Sequence, residues 1–71
     1  LGDVYKRQEL LQRAIHTLPE IQRRRFLLYY EYEYNYYEIA AMEHCTASSV
    51  GQSITRAKEK VKAQMKKYLC T

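Results

Sequence analysis

The sequence predicts an all-α fold: a small four-helix domain whose last two helices form a C-terminal helix-turn-helix. Three observations carry that expectation. Apolar residues recur at three- and four-residue steps, as Leu11, Ala14, Ile15 and Leu18 and again as Val50, Ile54, Ala57 and Val61, which puts each set on one side of a helix. Cap-forming residues stand where helices should begin, with Asn35 three residues before Glu38 and Thr46 ahead of the second apolar series. Only a short turn, Glu43-His44-Cys45, separates the last two helical stretches.

The elements follow in order. Residues 1–8, LGDVYKRQ, fit no element well and resemble read-through translation at the end of an assembled sequence; they are expected to be a non-native or disordered lead, with the domain occupying 9–71. A first helix is expected from Glu9 to Leu18. Thr17 and Glu20 read as a capping box for the second, with Pro19 tolerated in its first turn. That second helix runs to about Tyr30 on Ile21, Phe26, Leu27, Leu28 and Tyr30. Arg24 and Arg25 interrupt the pattern and are expected to lay their stems on apolar surface with the charged ends in water. Six tyrosines fall between Tyr29 and Tyr37; Tyr30 and Tyr36 are expected between helices and others exposed in the connection. The box Asn35/Glu38 starts a third helix of about two turns, Tyr36 to Glu43. His44 falls where a left-handed backbone is usual, and His is among the non-glycine residues that accept it. Thr46 caps a fourth helix reaching about Leu69, with Met65 and Tyr68 continuing its buried side.

Size and composition exclude several classes. Seventy-one residues make one domain with a core of about fifteen side chains and no room for a deep catalytic pocket. Glu20 and Glu38 read as cap carboxylates and Ser48 and Ser49 lack a neighbouring base, so no enzyme is expected. No apolar run approaches the roughly 20 residues of a membrane span, and no signal peptide is visible. Cys45 and Cys70 form no spacing motif and read as free thiols of a cytoplasmic protein. His16, His44, Cys45 and Cys70 match no zinc spacing, and neither a metal nor a cofactor is expected.

Charge is more specific. The net +4 is made of +1 over residues 1–8, +2 over 9–25, −4 over 26–46 and +5 over 47–71. The last helix is cationic, and a polyanion is its natural partner, although a merely solvated face would carry lysines too. Within the helix-turn-helix, Ile39, Ala40, Cys45, Val50 and Ile54 make a small core. The early outward face of the fourth helix then presents Ala47, Ser48, Gly51, Gln52, Thr55 and Arg56 to a major groove. Gln52 suits a paired hydrogen bond to adenine, while Arg56 and Lys58 suit phosphates. Gly51, costing about 1 kcal/mol against Ala in a helix, would permit close approach to a sugar-phosphate wall. Base stacking by the tyrosines is opposed by the surrounding Glu31, Glu33 and Glu38.

The ordered set Leu18-Pro19-Glu20, Gln22-Arg23, Phe26-Leu27-Leu28, Tyr36-Tyr37-Glu38-Ile39-Ala40, Cys45-Thr46, Val50 and Arg56-Ala57 resembles region 4 of sigma-70 family RNA polymerase sigma factors. The closest likeness is to the extracytoplasmic-function-like, type 2 version, as in small sigma-like proteins of Firmicutes and their mobile elements. The resemblance implies binding of double-stranded promoter DNA at a −35 element through Thr46 to Arg56. It also implies docking on the flap of the polymerase β subunit through Leu11, Ile15 and Leu28, and contact in some members with an anti-sigma factor or activator. By position, Arg23 would pair with Glu38 or touch DNA phosphate. His44 and Glu33 stand where relatives carry turn glycines, and Gly51 stands where many carry a polar reader. Region 2, which melts the −10 element, is not in these residues, so a fragment or an accessory protein is expected. Two rivals remain: a stand-alone helix-turn-helix regulator, and a protein-interaction module that never meets DNA.

Overall fold

The computed structural model describes the backbone of residues 2–69 and the side chains of residues 7–67. Four helices follow one another: α1 Gly2–His16, α2 Glu20–Tyr30, α3 Tyr36–Glu43 and α4 Ala47–Leu69. No strand occurs among the described residues. α1 starts seven residues ahead of the expected Glu9 and stops short of Leu18, which instead packs beneath the α1–α2 turn. The expected Thr17–Glu20 capping box does not form. The Thr17 hydroxyl donates back to the Ala14 carbonyl at 2.6 Å, and Pro19 occupies the cap position of α2 without a side-chain bond. A threonine one residue beyond a helix end can reach the carbonyl three residues behind it, and here that local bond wins.

The core is two clusters bridged by α4. Ala14, Ile15, Leu18, Phe26, Ala57 and Val61 form the first, with Leu27 and Met65 packed against it. Ile39, Ala40, Val50 and Ile54 form the second, with Leu28, Tyr29, Tyr36, Cys45 and Ala47 around it. The series Val50, Ile54, Ala57, Val61 is thus one buried stripe that serves two cores in succession. The irregular pattern of α2 has the same origin. Leu27 turns to the first cluster and Leu28 to the second, so α2 is a wedge with two apolar stripes rather than one. Tyr68 and Cys70, expected to extend α4's buried side and to be a free thiol, lie outside the described side chains.

The α2–α3 and α3–α4 turns each use left-handed backbone at a non-glycine residue, Glu33 (φ 62°) and His44 (φ 54°). After His44 the chain reverses, with the Cys45 N–H donating to the Ala40 carbonyl at 3.0 Å. α3 begins with the full reciprocal box: the Glu38 N–H donates to Asn35 Oδ1 at 2.8 Å, and the Asn35 N–H donates to Glu38 Oε1 at 3.0 Å.

Candidate nucleic-acid interface

The geometry of the last two helices is set by a few bonds. Thr46 Oγ1 accepts the Ser49 N–H at 3.1 Å, which satisfies one of the free donors at the start of α4. Behind the turn sits an arginine that the sequence reading misassigned. Arg25 does not send its charge into water. Its Nε donates to Glu43 Oε1 at 2.7 Å, and one terminal amino group donates to Ser53 Oγ at 2.7 Å and to the Ser49 carbonyl at 3.4 Å. The other lies 3.6 Å from Cys45 Sγ. Arg25 and Glu43 side chains are only 13% and 14% exposed, so α2, the turn and α4 are tied by a largely buried ion pair. A signal existed in the sequence. Arg25 lies three residues from both Gln22 and Leu28, on the half-buried stripe of α2 that faces α3 and α4. Arg24 does reach solvent, beside Glu20.

The outer face of α4 is open. Thr46, Ser48, Gln52, Thr55, Arg56 and Lys58 are exposed. An open concavity of about 610 Å³ brings together Ala47, Ser48, Gly51, Gln52, Thr55 and Arg56, joined by three residues the sequence reading left out of the site: Tyr36, Tyr37 and Glu59. The tyrosines come from the first turn of α3, which the helix-turn-helix crossing sets beside the early turns of α4. Thr46, Lys58 and Arg23 lie outside the concavity.

Four expected roles change. Ala47 is half-buried and packs on the second cluster, because it immediately follows the cap and faces α3 as much as solvent. Gly51 offers only part of its backbone: the Tyr36 ring packs where its side chain would stand, a Cβ lying 3.2 Å from Tyr36 Cε2, while the residue still lines the concavity. Arg23, half-buried on α2, forms no ion pair with Glu38, whose carboxylate is taken by the Asn35 cap. Of the three docking candidates, Ile15 is 5% exposed and belongs to the first core, Leu28 is half-buried against the second, and Leu11 alone is exposed. Of the two candidates on α1, Ile15 lies on the face turned to α4 and Leu11 on the open side.

Tyr36 lies against Tyr29, ring centroids 5.0 Å apart, and its packing matches expectation. Burial pushes its hydroxyl above the ordinary tyrosine range, Tyr29 and Tyr30 add to the effect, and nearby Lys58 opposes it. Tyr30, expected between helices, is 46% exposed although stacked on Phe26 at 4.6 Å; the end of α2 carries it past the core edge.

A capped helix, held by a tight turn across a shorter one and carrying an exposed, lysine-rich outer face, defines a helix-turn-helix DNA-binding domain. The family model for sigma-70, region 4 matches residues 8–61, and the chain belongs to that family. Membership makes it a domain of transcription initiation that binds DNA and interacts with RNA polymerase. Comparison with the curated proteins and with the solved structures returned no match. Among the described residues no helix is long and apolar enough to cross a membrane.

Proposed function

We propose that the early turns of α4 enter the major groove of a promoter −35-type element and that the domain docks on the flap of the polymerase β subunit. The observation that carries the DNA half is the joint exposure of Gln52, Thr55 and Arg56 on one open face, with the core stripe on the opposite side of the same helix. Lys58 and Arg56 neutralise phosphates and position the helix; Gln52 samples a base edge. Leu11 remains the candidate polymerase contact on α1. α1 runs unbroken from Gly2 through residue 8, where the family match begins, so the expected lead is helical rather than disordered.

Titration of labelled promoter duplexes tests this. Gln52→Ala is expected to cost about 1–3 kcal/mol on the preferred site and little on random DNA. Lys58→Ala is expected to weaken all duplexes alike and to lower the salt slope by about one. Equal losses on both kinds of DNA for Gln52→Ala would remove its reading role. Retention of the chain on immobilised β flap, lost on Leu11→Asp, tests the docking half. A chain that binds DNA but is never retained on the flap would be a stand-alone regulator.

A further inference from the structure

The face that α4 offers is unusual in what it holds. Its first three turns carry no arginine or lysine before Arg56; the positions that line the concavity there are Ala47, Ser48, Gly51, Gln52 and Thr55. Guanine is read most often by a bidentate arginine or lysine, and neither is present where a recognition helix enters the groove deepest. What is present is apolar. The Tyr36 ring packs close above Gly51, and a Cβ at 51 would lie 3.2 Å from its Cε2, so the ring would have to give by a few tenths of an ångström. Beside it Tyr37, 78% exposed, stands at the rim of the same concavity. The Thr55 methyl lies on the same surface, with Gln52 its one amide and Ser48 a small hydroxyl beside it.

We propose that this surface selects A·T-rich duplex DNA, packing thymine C5-methyl groups against Tyr37 and Thr55 while the Gln52 amide bonds adenine N6 and N7. The inference rests on the placement of α4 in the major groove argued above and adds the base class it reads. Thymine is the one base whose major-groove edge carries a methyl group, and apolar side chains are what recognise it. Gln52 supplies the donor and acceptor that adenine's N7 and N6 require. Arg56 and Glu59 also line the concavity. Arg56, next to Thr55, suits a phosphate at the groove wall; Glu59, twelve residues beyond Ala47 and about 18 Å along the helix axis, lies past the stretch that reads bases.

The test uses the whole 71-residue chain and a pool of random-sequence duplexes at low salt, with the bound fraction sequenced. Runs of A·T pairs are expected to be enriched. The enriched duplex is then remade with deoxyuridine in place of thymidine, which removes the methyls and keeps the pairing. Affinity is expected to fall about fourfold for each contacted thymine, the equivalent of one buried carbon. Tyr37→Ser, at a position exposed enough to leave folding intact, is expected to shrink that thymine-to-uracil ratio. Enrichment of G·C pairs, a thymine-to-uracil ratio of one, or an unchanged ratio in Tyr37→Ser would each overturn the proposal. Absence of binding to every duplex would appear before any base comparison and would end the groove placement itself. Retained binding without A·T preference would end only the present inference.

Discussion

At the scale of single residues, Arg25 and Glu43 hold more of the site in place than any residue that faces DNA. Their ion pair sits behind the turn with both side chains about one-seventh exposed, and the second carboxylate oxygen of Glu43 has no protein partner among the described residues. Removing one charge from such a pair strands the other. Arg25→Ala is therefore expected to cost about 3 kcal/mol in urea unfolding. The double replacement Arg25→Met with Glu43→Leu is expected to recover most of it, because two apolar groups of similar volume strand nothing. A double variant no better than Arg25→Ala would show that the Ser53 and Ser49 bonds, not the charge pair, carry the stability. This pair was not legible from composition, since three successive arginines look alike until α2 is placed; Gln22, Arg25 and Leu28 at helical spacing were the available sign. His44 was legible. Its left-handed backbone costs about 1–2 kcal/mol at a residue with a Cβ, and glycine gives back about 0.4–1 of that through the unfolded chain. His44→Gly is expected to raise stability by about 0.5–1 kcal/mol, and a lower unfolding midpoint would mean that the His44 side chain makes a contact worth more than the strain.

At the scale of elements, the helices whose ends depend on a local bond were the ones read most accurately. α3 begins at Tyr36 and ends at Glu43 as expected because Asn35 and Glu38 bond each other's backbone and His44 stops the helix, all within ten residues. Thr46 places the start of α4 for the same reason. Where the outcome depended on competition, the reading failed. Thr17 had two partners within reach and took the Ala14 carbonyl. Docking residues on α1 were harder still, because periodicity shows which face is apolar but not whether that face meets α4 or a foreign protein. Asn35→Ala is expected to cost about 1 kcal/mol, since it removes the acceptor for the Glu38 N–H at the head of α3. Because the first turn of α3 also carries Tyr36 and Tyr37 into the concavity on α4 proposed to meet DNA, that variant is expected to weaken duplex binding beyond its effect on stability. DNA affinity unchanged at a temperature where the variant stays folded would separate α3's cap from the interface.

At the scale of the molecule, α4 makes two small cores into one folding unit. Neither cluster is large: the first has six buried residues and the second four, each with half-buried neighbours. A helix of 23 residues, about 34 Å long, spans both and accounts for the long dimension of 40 Å. Loss of either core frees half of α4, and a helix is costly to keep without packing. One transition is therefore expected. The chain has no tryptophan, and most of its tyrosines lie between Tyr29 and Tyr37, so tyrosine fluorescence reports on the surroundings of the second core while far-ultraviolet circular dichroism reports on all four helices. Val61→Ala, in the first core, is expected to destabilise by about 1–3 kcal/mol and to shift both signals together. A shift in circular dichroism that leaves the tyrosine transition behind would mean that the helix-turn-helix stands without α1, and that α4 joins two units that fold apart.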